Sequence, residues 1–240
     1  MNLAKFFHKN TKNLLPRGFL EPKDWPQEWK KIYFKAYPRL EEFILPEPRE
    51  PKITLGKSLK KRKSTRSFSG DSIELYELST LLFYGAGLIR DAESWDETRR
   101  PYPSGGARYP LEIYLGARMI EGLPDGVYHY NVKGHFLEKI GNKEILGKLR
   151  NKINPSWAKE AALILVITAV FYRTLNKYQD RGYRYILLEA GHLAQNLYLL
   201  AAALDLKCCG LGDFLEDQLN NVLDIDEEIE GTIYVLVFGK

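Results

Sequence analysis

The sequence predicts an α+β sandwich, and three features of the chain indicate it. Residues 183–206 are apolar on nearly every face of a helix and carry alanine at positions 190, 194, 201, 202 and 203. Residues 162–171 form a continuous apolar run rich in β-branched side chains, which is typical of a strand buried on both faces. The other predicted elements follow no regular βαβα rhythm and no internal repeat. This pattern favours an α+β sandwich over a doubly wound sheet.

The bulk composition is that of an ordinary soluble globular protein. The chain has 240 residues, 45% hydrophobic and 28% charged, enough for a substantial core. A net charge of +4 without an arginine-rich tail gives no indication of nucleic-acid binding. The first residues, MNLAKFFHKNTK, lack the apolar stretch of a signal peptide, and polar residues interrupt the run 183–206. We therefore expect a cytoplasmic protein that does not cross a membrane.

The cysteines and histidines give no sign of a metal site. Cys208 and Cys209 are adjacent, which excludes a disulfide framework and lacks zinc-ligand spacing. Small buried residues at a strand end are a commoner role for such cysteines than redox chemistry. His192, on the apolar helix, is expected to be a hydrogen-bonded core histidine.

Residues 1–56 are expected to form an ordered N-terminal arm, and residues 57–240 the main domain. Seven of the 12 prolines lie in the arm, at positions 16, 22, 26, 38, 46, 48 and 51. Proline alone would indicate a disordered leader. The aromatic side chains among them, however, offer large areas to bury. We expect the arm to wrap the body or a partner subunit.

The domain itself is predicted element by element. Asp71 or Ser72 can cap a helix that ends at Gly85–Gly87, and residues 90–110 form a loop. Strands are predicted over 112–119, 126–131, 135–140, 162–171, near Lys207 and over 232–238. Further helices are predicted over 143–153, 183–206 and 216–223.

Three segments could carry chemistry, although each has a simpler interpretation. The cations and hydroxyls of residues 62–66 could hold a phosphate, or could be a solvated basic run. Residues 100–110 could line a planar ligand with bare backbone, or could be a generic turn. Lys177 and Tyr178 could exchange protons near neutrality if the lysine pKa is lowered, or could be an exposed lysine beside a packing tyrosine.

The order and wording of these segments resemble the SagB-type branch of the FMN-dependent nitroreductase superfamily. The resemblance rests on RKSTRSF, RPYPSGGARYPLEIYL, DGVYHYN and the long stretch from KYQDRGYRY to CCGLGDF. It covers roughly residues 57–240, and the proline- and tryptophan-rich arm is similar as well. It implies a mainly antiparallel sheet wrapped by helices. It also implies a homodimer, with the long helix buried at the interface and two FMN sites formed by both chains.

The resemblance also implies roles for individual residues. Arg62 and Ser64, with Lys63 between them, match the residues that grip the FMN phosphate, and Arg66 matches a basic residue near the flavin pyrimidine. Lys240 matches a second phosphate contact loosely. The loop that covers the flavin from the neighbouring subunit matches Pro103, Ser104, Gly105 and Gly106. The backbone that faces the flavin N5 matches Gly210, Leu211 and Gly212.

The implied activity is a dehydrogenation in which flavin accepts a hydride and Lys177 and Tyr178 act in proton transfer. The substrate would be a small molecule or a peptide, with azoline oxidation as the family's example. Two alternatives remain: a nitro- or quinone-reductase that draws hydride from NAD(P)H, and a non-catalytic flavin-binding dimer. A dimer is also expected because the long helix offers more apolar area than one sheet face could cover.

Overall fold

The computed structural model describes residues 2–13, 20–90 and 92–240, and it is built around one seven-stranded antiparallel sheet. The sheet order is β1-β4-β3-β2-β5-β7-β6. The strands are β1 (Glu42–Ile44), β2 (Leu111–Ala117), β3 (Gly126–Asn131), β4 (Phe136–Gly141), β5 (Leu163–Val170), β6 (Lys207–Leu211) and β7 (Glu230–Gly239). The helices are α1 (Leu3–Asn10), α2 (Gln27–Lys30), α3 (Leu55–Lys61), α4 (Leu75–Ala86), α5 (Lys143–Arg150), α6 (Tyr172–Tyr178), α7 (Arg181–Ala203) and α8 (Glu216–Val222). The predicted α+β class is confirmed.

Strand β5 lies in the middle of the sheet, between β2 and β7, and is buried along almost its whole length. Its side chains alternate between two hydrophobic clusters, one on each face of the sheet. Leu165 and Ile167 belong to the cluster under α4 and α7, whereas Ile164 and Val166 belong to the cluster under α5 and α8. The continuous apolar run was therefore a correct signal of a strand covered on both faces.

Helix α7 buries only one of its faces within the chain. Leu193 and Leu197 are fully buried, but Leu187 and Leu188 on the opposite side are 43% and 59% exposed. The expectation that His192 is a core histidine is wrong, because it lies on this exposed side. The apolar character of the helix thus exceeds what the fold of one chain covers.

One local prediction about a helix end is wrong. Helix α4 is capped by Glu74 and not by Asp71 or Ser72. Glu74 forms a capping box with Glu77, whose carboxylate accepts the Glu74 N–H at 2.9 Å. Lys177 and Tyr178 lie in the short helix α6, which Gln179, with a φ of +50°, separates from the long helix α7.

The described part of the N-terminal arm packs on the body of the protein. Strand β1 pairs with β4 at the edge of the sheet, and the arm residues Ile32 and Leu45 are buried in the main core. The Ile32 N–H donates to the Asp96 carboxylate at 2.8 Å. In the described ranges, every helix is too short or too polar to span a membrane.

Candidate functional site

The segment that contains Arg62 and Ser64 is fixed along strand β6 by backbone contacts. Ser64 forms a parallel bridge with Cys208, and the Thr65 N–H donates to the Cys208 carbonyl at 2.9 Å. The Ser64 hydroxyl lies 3.2 Å from the hydroxyl of Tyr198 on α7, and the Arg62 guanidinium lies 5.5 Å from the Tyr198 ring centroid. Arg62, Ser64 and Tyr198 therefore form one polar group at the C-terminal end of α7.

The positive charges of this segment are not neutralised by carboxylates. Within the described ranges, Arg62, Lys63 and Arg66 have no ion-pair partner, whereas the neighbouring Lys61 pairs with Asp205. The Arg66 guanidinium lies 5.9 Å from the centroid of the Trp157 ring. Free cations beside hydroxyls favour the binding of a phosphate group. We refer to Arg62, Lys63, Ser64, Arg66 and Tyr198 as the basic cluster.

The CCGLG segment next to the basic cluster offers open backbone at one position. The Gly210 N–H donates to the Tyr198 hydroxyl at 2.5 Å, and a side chain at Gly210 would collide with the Tyr234 hydroxyl. Leu211 is buried and paired with β7. Gly212 follows the strand, and a Cβ at this position would meet no atom within 4 Å. Among the three predicted residues, Gly212 thus has free space beside its backbone.

Lys240 lies at the end of β7, where it holds α4. Its amine is 2.5 Å from the buried carboxylate of Glu77, and its carbonyl accepts the Ser69 N–H at 2.8 Å. A second phosphate contact by Lys240 stays a prediction.

A second group of predicted residues meets at the N-terminal end of α7. Lys177 and Tyr178 end α6, and the loop Pro103–Gly106 folds against them. A Cβ on Gly106 would lie 2.5 Å from the Tyr178 hydroxyl and 3.1 Å from the Lys177 amine. The Ser104 hydroxyl accepts the Tyr109 N–H at 2.8 Å, which closes the loop. We refer to Lys177, Tyr178 and this loop as the lysine–tyrosine cluster.

Strained backbone surrounds the lysine–tyrosine cluster. Gly106, Ala107, Tyr109 and Gln179 have φ values of +63°, +55°, +45° and +50°. Such conformations are unfavourable for residues with a Cβ and often occur at functional sites. Their concentration on both sides of the pair supports a functional role for it.

The surroundings of Lys177 disfavour its charged form. Burial, together with the positive charge of Arg108, lowers the pKa of Lys177 to about 8. Its amine has no hydrogen-bond partner among the described residues. Burial raises the pKa of Tyr178. The lysine is therefore suited to accept a proton near neutral pH.

A buried charge network fixes the helix that carries the pair, and the sequence reasoning missed it. Arg173 on α6 contacts the Glu112 carboxylate at 2.5 Å, and Glu112 lies 3.0 Å from His129, which lies 2.7 Å from Glu138. Burial alone would raise the pKa of Glu112, but Arg173 and His129 hold it well below its usual range. The sequence feature that could have indicated this network is Glu112, a charged residue near the start of an otherwise apolar strand.

A further buried carboxyl, that of Glu189 on α7, was also missed. Burial raises its pKa to about 8, against the opposing effects of Ser104, Arg100 and Arg173. The sequence feature that could have indicated it is a single carboxylate within the apolar run of α7.

The two clusters lie far apart in one chain. Tyr185 of α7 lies beside the loop at Gly105, and Tyr198 of the same helix lies in the basic cluster. Their separation of 13 residues (198 − 185) corresponds to about 20 Å along the helix, at a rise of about 1.5 Å per residue. The two clusters are therefore separate from each other within one chain.

No metal-binding group of histidine, cysteine and acidic side chains occurs among the residues described. Cys208 and Cys209 are both buried, and burial raises the pKa of the Cys208 thiol well above its ordinary value. Both cysteines therefore behave as small buried residues, as predicted.

Comparison with known proteins identifies the family. Residues 59–240 match the sequence model of the nitroreductase family. The chain is 36% identical over 187 residues to MJ1384 of Methanocaldococcus jannaschii, a protein named for that family, covering 78% of this chain and 91% of the relative. It is 31% identical to the microcin B17-processing protein McbC of Escherichia coli, but spans only 54% of McbC while 59% of this chain is covered.

A solved structure agrees with this assignment. The crystal structure of a protein from Anabaena variabilis that is described as a nitroreductase superimposes with a TM-score of 0.73 and 28% identity, covering 98% of this chain and 46% of the other. The similarity to McbC agrees with the resemblance to the SagB-type branch. The chain belongs to the nitroreductase family.

Proposed function

We propose that this protein is an FMN-dependent dehydrogenase of the SagB type that works as a homodimer. The observation that carries the proposal is the lysine–tyrosine cluster, in which an unpartnered lysine amine with a lowered pKa lies beside a tyrosine and a bare glycine loop. A dehydrogenation removes a proton and a hydride from the substrate, so it needs a base next to a hydride acceptor.

The residues of the basic cluster fit FMN. Arg62 and Ser64 would hold its phosphate, since guanidinium and hydroxyl groups donate to phosphate oxygens and no carboxylate of the described chain competes for Arg62. Arg66 would place a positive charge near the ring, and the open backbone at Gly212 would allow close approach. When bound, FMN supplies the acceptor for the hydride.

The role of the lysine–tyrosine cluster follows from its contacts. Lys177 would accept the substrate proton at Nζ, and Tyr178 would relay it from its hydroxyl. The strained Gly106 loop would cover the ring and exclude water from the reacting atoms. The substrate class is a small molecule or peptide with a ring that gains aromaticity on oxidation, as in an azoline.

The homodimer brings the separated clusters together. One chain keeps its basic cluster and its lysine–tyrosine cluster about 20 Å apart along α7, too far to serve one flavin ring. A partner packed on the exposed side of α7, through Leu187 and Leu188, could place its lysine–tyrosine cluster beside the basic cluster of the first chain. Two equivalent sites result from such a twofold arrangement.

A reductase that takes hydride from NAD(P)H is the second candidate, favoured by the family to which the chain belongs. The two functions differ in their need for Lys177, because reduction of an acceptor requires no proton abstraction from carbon. The test is to add FMN to the purified protein, record its visible spectrum, and assay an azoline-containing peptide and a quinone with NADH.

The dehydrogenase predicts a flavin spectrum, azole formation and loss of that activity in Lys177→Ala, with quinone reduction nearly unchanged. Equal loss of both activities would contradict the role of Lys177. Quinone reduction alone, unaffected by the substitution, would identify a reductase. Flavin binding without either activity would identify a non-catalytic flavoprotein.

A further inference from the structure

We propose that Trp25 and Trp29 of the N-terminal arm belong to the active site, where their indole rings exclude water from the Lys177 amine and so make it a base. The part of the inference that concerns catalysis rests on the proposed function. The shielding of the amine by the arm stands on geometry alone, and it can be tested without flavin or substrate.

The Lys177 amine is enclosed by aromatic rings. Nζ lies 3.1 Å from the ring centroid of Trp25, 5.4 Å from that of Trp29 and 5.6 Å from that of Tyr178. In water a lysine ammonium donates three hydrogen bonds. In the described structure this amine is buried and makes none. The rings of the arm thus occupy the space that water would otherwise fill.

The arm is tied to the same elements that form the lysine–tyrosine cluster. Arg108 donates from Nε to the Gly106 carbonyl at 2.9 Å, and from Nη1 to the carbonyls of Glu28 and Lys31 at 3.1 and 3.0 Å. The side-chain amide of Asn176, the residue directly before Lys177 in α6, donates to the Glu28 carboxylate at 3.3 Å. One arginine therefore fixes the arm and the Gly106 loop together around the amine.

The aromatic faces act on the charge of Lys177 in two opposite ways. A ring face attracts an ammonium through its quadrupole, which favours the protonated form. Removal of water without a compensating hydrogen bond favours the neutral form. The second effect is the larger, since burial is the leading cause of the lowered pKa of Lys177 and the positive charge of Arg108 adds to it.

No ion pair with a carboxylate of the described residues offsets the lowering of the Lys177 pKa by burial. The titratable and charged groups on the elements around the amine include Lys23, Asp24, Glu28, Lys30 and Lys31 on the arm, Arg108 on the loop, Arg173 and Tyr178 on α6, and Asp180, Arg181 and Tyr185 at the start of α7. None of the carboxylates forms an ion pair with Lys177 in the described structure, and Glu28 is engaged by Asn176. Of the causes that lower the pKa of Lys177, water exclusion by the arm is therefore the main one that a substitution can remove.

Loss of the Trp25 ring should return water to Nζ and move the pKa of Lys177 toward the value of about 10.4 for a solvated lysine. We expect an upward shift of at least about one pH unit, which lowers the free-base fraction below pH 8 by about tenfold. Trp29, at the larger distance, should have a smaller effect in the same direction.

The experiment is competitive acylation of the full-length protein with trace acetic anhydride from pH 6 to pH 11, with each lysine quantified by mass spectrometry. Lys177 should titrate near pH 8 in the unmodified protein. Its midpoint should rise in Trp25→Ala and stay near the original value in Trp25→Phe, which keeps a ring face. Trp95→Ala removes a half-exposed indole elsewhere and should leave the midpoint unchanged, and exposed Lys57 serves as internal reference.

An unchanged Lys177 midpoint in Trp25→Ala would overturn the inference. Circular dichroism verifies that the variants fold. If Trp25→Ala does not fold, the Lys177 midpoint is measured in Trp29→Ala, and an unchanged midpoint there would overturn the inference. Where azoline oxidation is present, the ascending, low-pH limb of its pH–rate profile, which follows the deprotonation of Lys177, should shift upward by the same amount. A shifted midpoint in a protein that oxidises no azoline would refute the proposed function but leave the shielding role of the arm intact.

Discussion

Gly106 and Tyr178 are in such close contact that a Cβ at position 106 would lie 2.5 Å from the tyrosine hydroxyl. The same Cβ would lie 3.1 Å from the Lys177 amine. A side chain at residue 106 would therefore have to displace the Tyr178 hydroxyl and press on the Lys177 amine. Its φ of +63° independently favours glycine at this position.

Gly106→Ala should reduce azoline oxidation at least about tenfold, because the new methyl group displaces the proton-transferring pair by a fraction of an ångström. Gly122→Ala is a matched control. Gly122 also has a positive φ, +76°, but a Cβ there meets no atom within 4 Å. Both variants should lose about 1 kcal/mol of stability from backbone strain. Similar activities of the two variants in steady-state assays would contradict the close packing of Gly106.

Arg62→Ala should weaken FMN binding by about 10- to 100-fold, since a hydrogen bond to a charged group contributes about 1.5–3 kcal/mol. Quenching of flavin fluorescence during titration measures the dissociation constant. Lys57→Ala, on the exposed surface of α3, removes an equal charge away from the cluster and should change affinity little. An equal loss in both variants would indicate general electrostatic attraction and not a phosphate grip by Arg62.

Glu112→Gln should destabilise the fold by about 3 kcal/mol at pH 7, because it leaves Arg173 buried without its counter-charge. Urea unfolding measures this difference. Glu144→Gln breaks the exposed pair with Lys148, 2.8 Å in length, and should change the stability little, because water screens this pair.

The effect of Glu112→Gln should also depend on pH. The pKa of Glu112 in the folded state lies below its unfolded value, so its carboxylate contributes stability above about pH 4.3, and this contribution is lost as the pH falls. The difference between the parent and Glu112→Gln should therefore shrink in acid. A difference that stays constant from pH 7 to pH 3 would show that the carboxylate charge is not what stabilises α6.

If the proposed homodimer forms through α7, Leu188→Glu should convert it into monomers and abolish FMN binding as well. Leu188 is 59% exposed on the uncovered side of α7. If a partner chain packs on this side, a carboxylate at position 188 would be buried in the interface at a high cost in free energy. Ile229→Glu replaces a side chain of similar exposure, 58%, in the turn before β7 and should leave the assembly unchanged. Light scattering gives the mass of each variant. A Leu188→Glu dimer that still binds flavin would exclude this face of α7 as the interface.

The sequence by itself determined the elements whose signals are local. The run 162–171 predicted the central strand β5, since an apolar β-branched stretch can be satisfied only where both sheet faces are covered. The alternation and turn residues of 126–140 predicted the β3–β4 hairpin within one residue at each end. Lys177 and Tyr178 are adjacent in the sequence, so the pair could be identified without the structure.

Only the tertiary structure decided which residues surround that pair. Trp25 precedes Lys177 by 152 positions (177 − 25), and no periodicity or spacing connects them. The break at Gln179, the fold of Gly106 onto Tyr178 and the exposed side of α7 likewise depend on how distant elements pack. Local patterns reflect the propensities of neighbouring residues, whereas the polarity around Lys177 is set by side chains from the arm, the loop and two helices. The chain thus carries Lys177 in its sequence, and its fold places the amine against aromatic rings of the arm, without a hydrogen-bond partner among the described residues.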